Sequence, residues 1–143
     1  MKTYIPKVSD VNKKWYVVDV DGKTFGRQIV KIAGILTGKN KPIYTPHMDT
    51  GDYVIIVNAK KVRISGDKLT SKKYYHYSGY PGGLSEKTFE QMRAKTPDRL
   101  FNKAVWGMLP KNRLGRKMLK KLFVYGGPDH PHKAQKPEPL TLG

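Results

Sequence analysis

Residues 15–39 read WYVVDVDGKTFGRQIVKIAGILTGK, and a change of period inside this stretch decides the fold. Trp15 to Val20 is an apolar, β-branched run with a single carboxylate, closed by Asp21-Gly22, the pattern of a strand buried on both faces and followed by a tight turn. Beyond the turn, Phe25, Ile29, Ile32, Ala33 and Leu36 recur at helical spacing. Gly38 follows the last of them, where a left-handed C-cap is wanted. A strand therefore feeds directly into a helix.

Working outward, residues 39–52 (KNKPIYTPHMDTGD) contain two prolines and little periodicity, which predicts an ordered loop. Residues 53–59 (YVIIVNA) repeat the apolar character of the first strand. Strand, helix and strand in this order predict a right-handed βαβ unit with parallel strands, and a doubly wound α/β sheet is its natural extension. Further on, residues 74–78 predict a third strand and SGYPGG a glycine-rich turn. Helices are predicted over 85–95, over 97–109 with Thr96 as N-cap and Pro97 in the first turn, and over 112–121 after the break at Pro110. LFVYG, 122–126, reads as the last strand. The 143 residues fit one domain, with a tail from about Gly126 whose four prolines predict an extended course over a surface.

Charge narrows the function. Lys and Arg number 28 against 11 Asp and Glu, a net charge of +17 that calls for a polyanionic partner. The excess is uneven, because residues 99–128 hold eight basic residues and no acidic one. No cysteine is present, which excludes disulfide frameworks and thiolate metal sites and fits a reducing compartment. The opening MKTYIPKVSD lacks the apolar core of a secretory leader, and the longest apolar run, VIIV, is too short to cross a bilayer. A cytoplasmic protein that binds nucleic acid, and no membrane, is expected.

Two regions are candidates for that contact. In the helix predicted over 112–121, Leu114, Met118 and Leu122 form a core stripe, while Arg113, Arg116, Lys117 and Lys120 share another flank without the Glu partners that usually accompany such lysines. A solvated basic face is the plainer alternative; the charge total favours phosphates lying along the flank from Lys111 to Lys121. The loops add lysines interleaved with aromatics: Lys39, Lys41, Tyr44 and His47 in one, and Lys72, Lys73, Tyr74, Tyr75, Tyr77 and Tyr80 in the other. Lysines that neutralise phosphate beside rings that stack on splayed bases suit RNA better than duplex DNA, although Tyr74 and Tyr75 could equally be core residues of a strand.

Catalytic patterns are weak. GILTGKN, 34–40, has the wrong spacing for a phosphate-binding loop and ends a helix, whereas phosphate needs the free amides of a helix N-terminus. Ser78 lacks the glycine flanks of a nucleophile elbow despite nearby His76. His130 and His132 are too few for a zinc site and are better placed to touch phosphate. Asp19 and Asp21 fall at the end of the first strand, where α/β folds put acid–base groups, but Asp21-Gly22 is explained by turn chemistry. A small nuclease using Asp19, His76 or the histidine pair, and a duplex-DNA regulator, are the rival readings.

Four stretches are recognisable together: WYVVDVDGKTFGR; GKNKPIYTPHMDTGDYVIIVNAKKVRISGDK; YYHYSGYPGGL; and AVWGMLPKNRLGRKMLKKLFVYGGPDHPHKAQKP. Through them the chain resembles, essentially end to end, the bacterial type of large-subunit ribosomal protein L-thirteen family. GMLPKNRLGR and HPHKAQKP are the most specific, matching in residues and spacing. Val20 and Phe25 stand where the family commonly has Ala and Leu, which touches packing only. The resemblance implies a three-layer α/β/α fold with a four-stranded parallel sheet. It also implies binding to large-subunit ribosomal RNA beside neighbouring large-subunit proteins, a role in early subunit assembly, a cytoplasmic location within that subunit, and neither catalysis, cofactor, metal nor small-molecule substrate. The family's RNA-facing loops map onto residues 39–47, 77–83 and 111–117. With the basic and aromatic residues above, the candidate RNA contacts are Lys39, Lys41, Tyr44, His47, Lys72, Lys73, Tyr77, Ser78, Tyr80, Gly82, Lys111, Asn112, Arg113, Arg116, Lys117, Lys120, His130 and His132.

Overall fold

In the computed structural model, which describes residues 2–142, the quoted stretch forms strand β1, Trp15–Asp19, and helix α1, Phe25–Thr37. Gly38 ends the helix at φ 87° and its N–H donates to Gly34 O at 3.1 Å, the expected left-handed cap. The chain then passes close over the end of α1. A β-carbon at Gly51 would collide with the carbonyl of Leu36, so only glycine fits that passage. Strand β2, Tyr53–Val57, returns parallel to β1 with Trp15 opposite Tyr53 and Asp19 opposite Val57. The βαβ unit is as the periodicity predicts.

After a short helix α2, Lys68–Ser71, come strands β3, Lys73–Tyr77, and β4, Leu84–Thr88. Helices α3, Phe89–Lys95, α4, Pro97–Met108, and α5, Arg113–Leu119, follow, and strands β5, Leu122–Val124, and β6, Glu138–Pro139, complete the order. The main sheet has four strands in the order β5-β2-β1-β6, all parallel. The α/β class and the four-stranded parallel sheet are therefore present. On one face of the sheet Val18, Val54 and Ile56 join Ile29, Ile32 and Leu36 of α1, Phe89 of α3 and Leu100, Phe101 and Val105 of α4 in one buried cluster. Phe25 meets Phe89 and Phe101 edge-on at centroid distances of 5.2 and 5.1 Å. Each such side chain removed from water contributes about 1.5–3 kcal/mol, so this cluster holds the helices on the sheet. On the other face Trp15 stacks on its register partner Tyr53 at 4.3 Å, and His132 of the tail tilts against Trp15 and Phe123.

Three elements differ from the sequence expectation. The strand predicted at 74–78 exists but pairs antiparallel with β4 in a separate hairpin, Tyr74 opposite Lys87 and His76 opposite Ser85. The helix predicted over 85–95 starts only at Phe89, because Thr88 and Gln91 form a reciprocal capping box: the Gln91 N–H donates to Thr88 Oγ1 at 3.3 Å and the Thr88 N–H to Gln91 Oε1 at 3.1 Å. Residues 84–88 are claimed by β3, whose unpaired backbone edge outweighs the helix preference of Glu86 and Lys87. The fourth strand of the main sheet comes from the tail: β6 lies beside β1, and the Leu140 N–H donates to Val17 O at 2.9 Å. Pro139 has no N–H to give, which an edge strand tolerates.

Candidate nucleic-acid interface

The loop between α1 and β2 is pinned by its two acids. Asp52 is buried; its Oδ1 accepts from the Lys14 N–H at 2.9 Å and from Lys41 Nζ at 2.8 Å. Asp49 accepts from Lys13 Nζ at 3.3 Å and is bonded to the ammonium of Lys121, which also donates to Leu36 O at 2.9 Å. Lys121 is only 4% exposed, and burial pushes its ammonium below the ordinary lysine range while Asp49 works against that shift. The sequence expectation extended the phosphate-facing flank to Lys121. In the structure Lys121 instead points inward to a carboxylate, and the exposed flank stops at Lys120.

Both carboxylates of the loop are thus turned into the protein, and its outer surface is left to Lys39 and His47, both exposed, and Tyr44, half-buried. Lys41 is held at Asp52 and reaches Asn12 O at 3.2 Å, so it anchors the loop. These ties bring the loop against α5: Met48 and Asp49 of the loop line one shallow cleft with Leu114 and Lys117 of α5 and Lys13 of the N-terminal segment. Asp49 and Asp52 are loop anchors that attention to cations alone overlooks, and their signal lies in MDTGD, two acids at the end of the basic loop.

Helix α5 is built to present charge. Asn112 caps it, Oδ1 accepting the Gly115 N–H at 2.8 Å. A β-carbon at Gly115 would strike the Pro110 carbonyl, so glycine lets the helix start directly beneath that turn. Met118 turns inward, and Arg113, Arg116, Lys117 and Lys120 are all exposed. Among the described residues none of these four has an ion-pair partner. Lys111 plays a different part, because its ammonium donates to the Trp106 and Leu109 carbonyls and lies 5.0 Å from the Trp106 ring centroid, closing the C-terminus of α4. The structure therefore joins loop 39–52 and α5 into one basic surface, with Asn112 and Lys111 as its supports.

The hairpin stands apart from that surface, against α3 and α4. Its turn is closed by the Ser78 N–H donating to Gly83 O at 3.1 Å and the Gly83 N–H to Tyr80 O at 2.9 Å. Gly79 and Gly82 take positive φ values of 89° and 72°, which is what lets so tight a connection form. The turn carries Tyr77 and Tyr80 at 63% and 75% exposure, unusual for rings of that size, with Ser78 exposed between them. Lys72 lies 5.8 Å from the Tyr74 ring centroid, and Lys73 is 3.5 Å from Glu86 on the paired strand. Tyr74 is half-buried against the core cluster, whereas Tyr75 is exposed; the alternative of core packing applies to the first alone.

The histidine pair divides. His132 Nε2 lies 2.6 Å from the Tyr125 hydroxyl, its ring packs 4.6 Å from Phe123, and its backbone N–H donates to His130 Nδ1 at 3.2 Å. Burial, followed by the neighbouring His130, holds the His132 pKa below the ordinary value, and its contacts with Tyr125 and Phe123 tether the tail. Among the described residues no group of three or more His, Asp or Glu could hold a metal ion. Asp19 is equally committed: Asn58 Nδ2 donates to Oδ1 at 3.0 Å and the Asp21 N–H at 2.9 Å, which lowers its carboxyl pKa and explains the turn. Among the described residues no helix is long and apolar enough to cross a membrane.

Comparison with known proteins identifies the family. Residues 13–131 match the family model described as ribosomal protein L13, a span that includes the loop, the hairpin and α5. The chain is 60% identical over 141 residues to large ribosomal subunit protein uL13 of Symbiobacterium thermophilum, covering 99% of each chain. It is 61% identical to the protein of that name from Thermotoga petrophila, covering 99% of this chain and 95% of the relative, and 57% identical to that from Agathobacter rectalis, covering 99% and 100%. A family match over residues 13–131 and relatives 57–61% identical over nearly the whole length leave one assignment: the chain belongs to the ribosomal protein L13 family.

Proposed function

We propose that this protein is a structural constituent of the large ribosomal subunit, which binds large-subunit ribosomal RNA and supports early assembly of that subunit without catalysing a reaction. It acts as one unit: the sheet and helices form a rigid scaffold, and the loop 39–52, the hairpin turn and α5 carry the contacts. The tail from about residue 126 and the outer helix faces are left for neighbouring large-subunit proteins. Lys39, His47, Arg113, Arg116, Lys117 and Lys120 meet phosphates, while Tyr77, Tyr80 and Tyr44 offer rings to unpaired bases. Lys72, Lys73, Ser78, Gly82 and His130 complete the hairpin and tail contacts, and Lys41, Lys111, Asn112 and His132 hold these surfaces in place.

The observation that carries this reading is the sorting of charge. Asp49 and Asp52 are paired inward, whereas the three cations of α5 and Lys120 at its C-cap face out with no ion-pair partner among the described residues. Four like charges within two helical turns repel one another and are favourable only when an external polyanion neutralises them, releasing its counterions. The test is co-sedimentation: the purified chain, added to large subunits depleted of their basic proteins, should travel with them through a gradient at moderate salt and leave them at high salt. Failure to travel with them at any salt concentration overturns the proposal.

A further inference from the structure

A second basic surface lies where the hairpin faces α4, away from the exposed Tyr77 and with Tyr75 at its edge. Because side chains alternate along a strand, Tyr74 and His76 of β3 and their register partners Lys87 and Ser85 of β4 share one face. That face overhangs α4, whose Arg99, Asn102 and Lys103 project together from positions i, i+3 and i+4. Between them is an open cleft of about 390 Å³, in the lower part of the roughly 300–1,000 Å³ range of small-ligand pockets. Three cations line it, none of its lining residues is acidic, and Asn102 adds an amide. The Lys103 ammonium lies 5.1 Å from the centroid of the Tyr74 ring, so cation and aromatic face are already side by side.

We infer that this cleft between the hairpin and α4 receives one unpaired ribonucleotide, its base against Tyr74 and His76 and its phosphate between Arg99 and Lys103. The inference rests on the proposed function and adds to it a contact on another face of the molecule. Charge complementarity selects an anion, because Lys87, Arg99 and Lys103 converge without a carboxylate among them. The paired features select a nucleotide over a simple anion: ring faces accept any base by stacking, and the Asn102 amide can hydrogen-bond a base edge. A cleft of this size admits one splayed base and excludes a duplex, whose shallow minor groove is read by elements that protrude into it.

The experiment uses the full chain and an in vitro transcript of large-subunit ribosomal RNA. The Arg99→Gln, Lys103→Gln double variant should bind about tenfold more weakly at moderate salt, with the slope of log K against log salt reduced by about 0.7, the value for one single-strand phosphate. Both residues are exposed, so its thermal unfolding should match the wild type. Ultraviolet irradiation of the wild-type complex should attach nucleotide to the peptide carrying Tyr74 and His76. Wild-type binding with unchanged affinity and slope in the double variant overturns the inference and leaves the proposed function standing, as does attachment confined to the 39–47 and 77–83 loops. A wild-type chain that ignores the transcript overturns both.

Discussion

The ammonium of Lys121 meets the carboxylate of Asp49 across 72 residues of sequence, and through this pair the entry to β5 clasps the loop between α1 and β2. Both groups are largely withdrawn from water, and Lys121 also donates to Leu36 O. Removing one partner of such a pair leaves an uncompensated buried charge, at a cost of about 3–5 kcal/mol; without Asp49 the Lys121 ammonium keeps only the Leu36 carbonyl, whereas without Lys121 the Asp49 carboxylate still has Lys13 at 3.3 Å.

Asp49→Ala should therefore lower unfolding stability in urea by about 3 kcal/mol, more than Lys121→Met does. The double variant should sit close to Lys121→Met, since the charge that Asp49 compensates is then gone. Equal and additive losses would show that the pair is not the clasp. Asp49→Ala should also weaken RNA binding, by loosening the loop that carries Lys39 and His47.

That clasp marks a boundary of what the sequence makes legible. Trp15 to Gly38 can be read directly, because strand and helix each leave a period in the residues that face the core, and the structure has both. Lys121 cannot be told from Lys120 or Lys117 in a string, since its burial depends on Asp49 in a distant loop. Lys111 likewise looks like a phosphate contact until α4 ends beneath its ammonium. β6 leaves no period at all: two residues ending in proline become a strand only because β1 offers an open edge. β4 is similar, Ser85, Glu86 and Lys87 being strand by pairing with β3 and not by preference. What depends on local repetition is readable; what depends on a partner elsewhere in the chain is not.

His132 makes the tail sensitive to pH. Its folded pKa is held below the unfolded value of about 6.5, so the folded state binds fewer protons than the unfolded state in this range. The associated stability is fully present above pH 6.5 and is lost as pH falls through the lower, folded pKa. Urea midpoints should decline between pH 7 and 5, and tryptophan emission should change as an imidazolium forms beside Trp15. His132→Phe should flatten the His132 part of this dependence. A variant that declines as steeply as the wild type would place the titration elsewhere.

The hairpin tyrosines separate stacking from charge. Tyr77→Ala and Tyr80→Ala alter exposed rings, so stability should shift by no more than about 0.5 kcal/mol. Each should weaken RNA binding by about 1–3 kcal/mol if its ring carries a base, and neither should alter the salt slope. Full affinity in the double variant would remove the turn from the interface.

The most direct measurement is the salt dependence of RNA binding by the Arg113→Gln, Arg116→Gln, Lys117→Gln variant. With three cations of α5 no longer neutralising phosphate, the slope of log K against log salt should fall by about two to three units, with unfolding stability held near wild type. A variant that folds normally and keeps the wild-type slope would contradict the claim that the unpartnered cations of α5 are balanced by a nucleic-acid backbone.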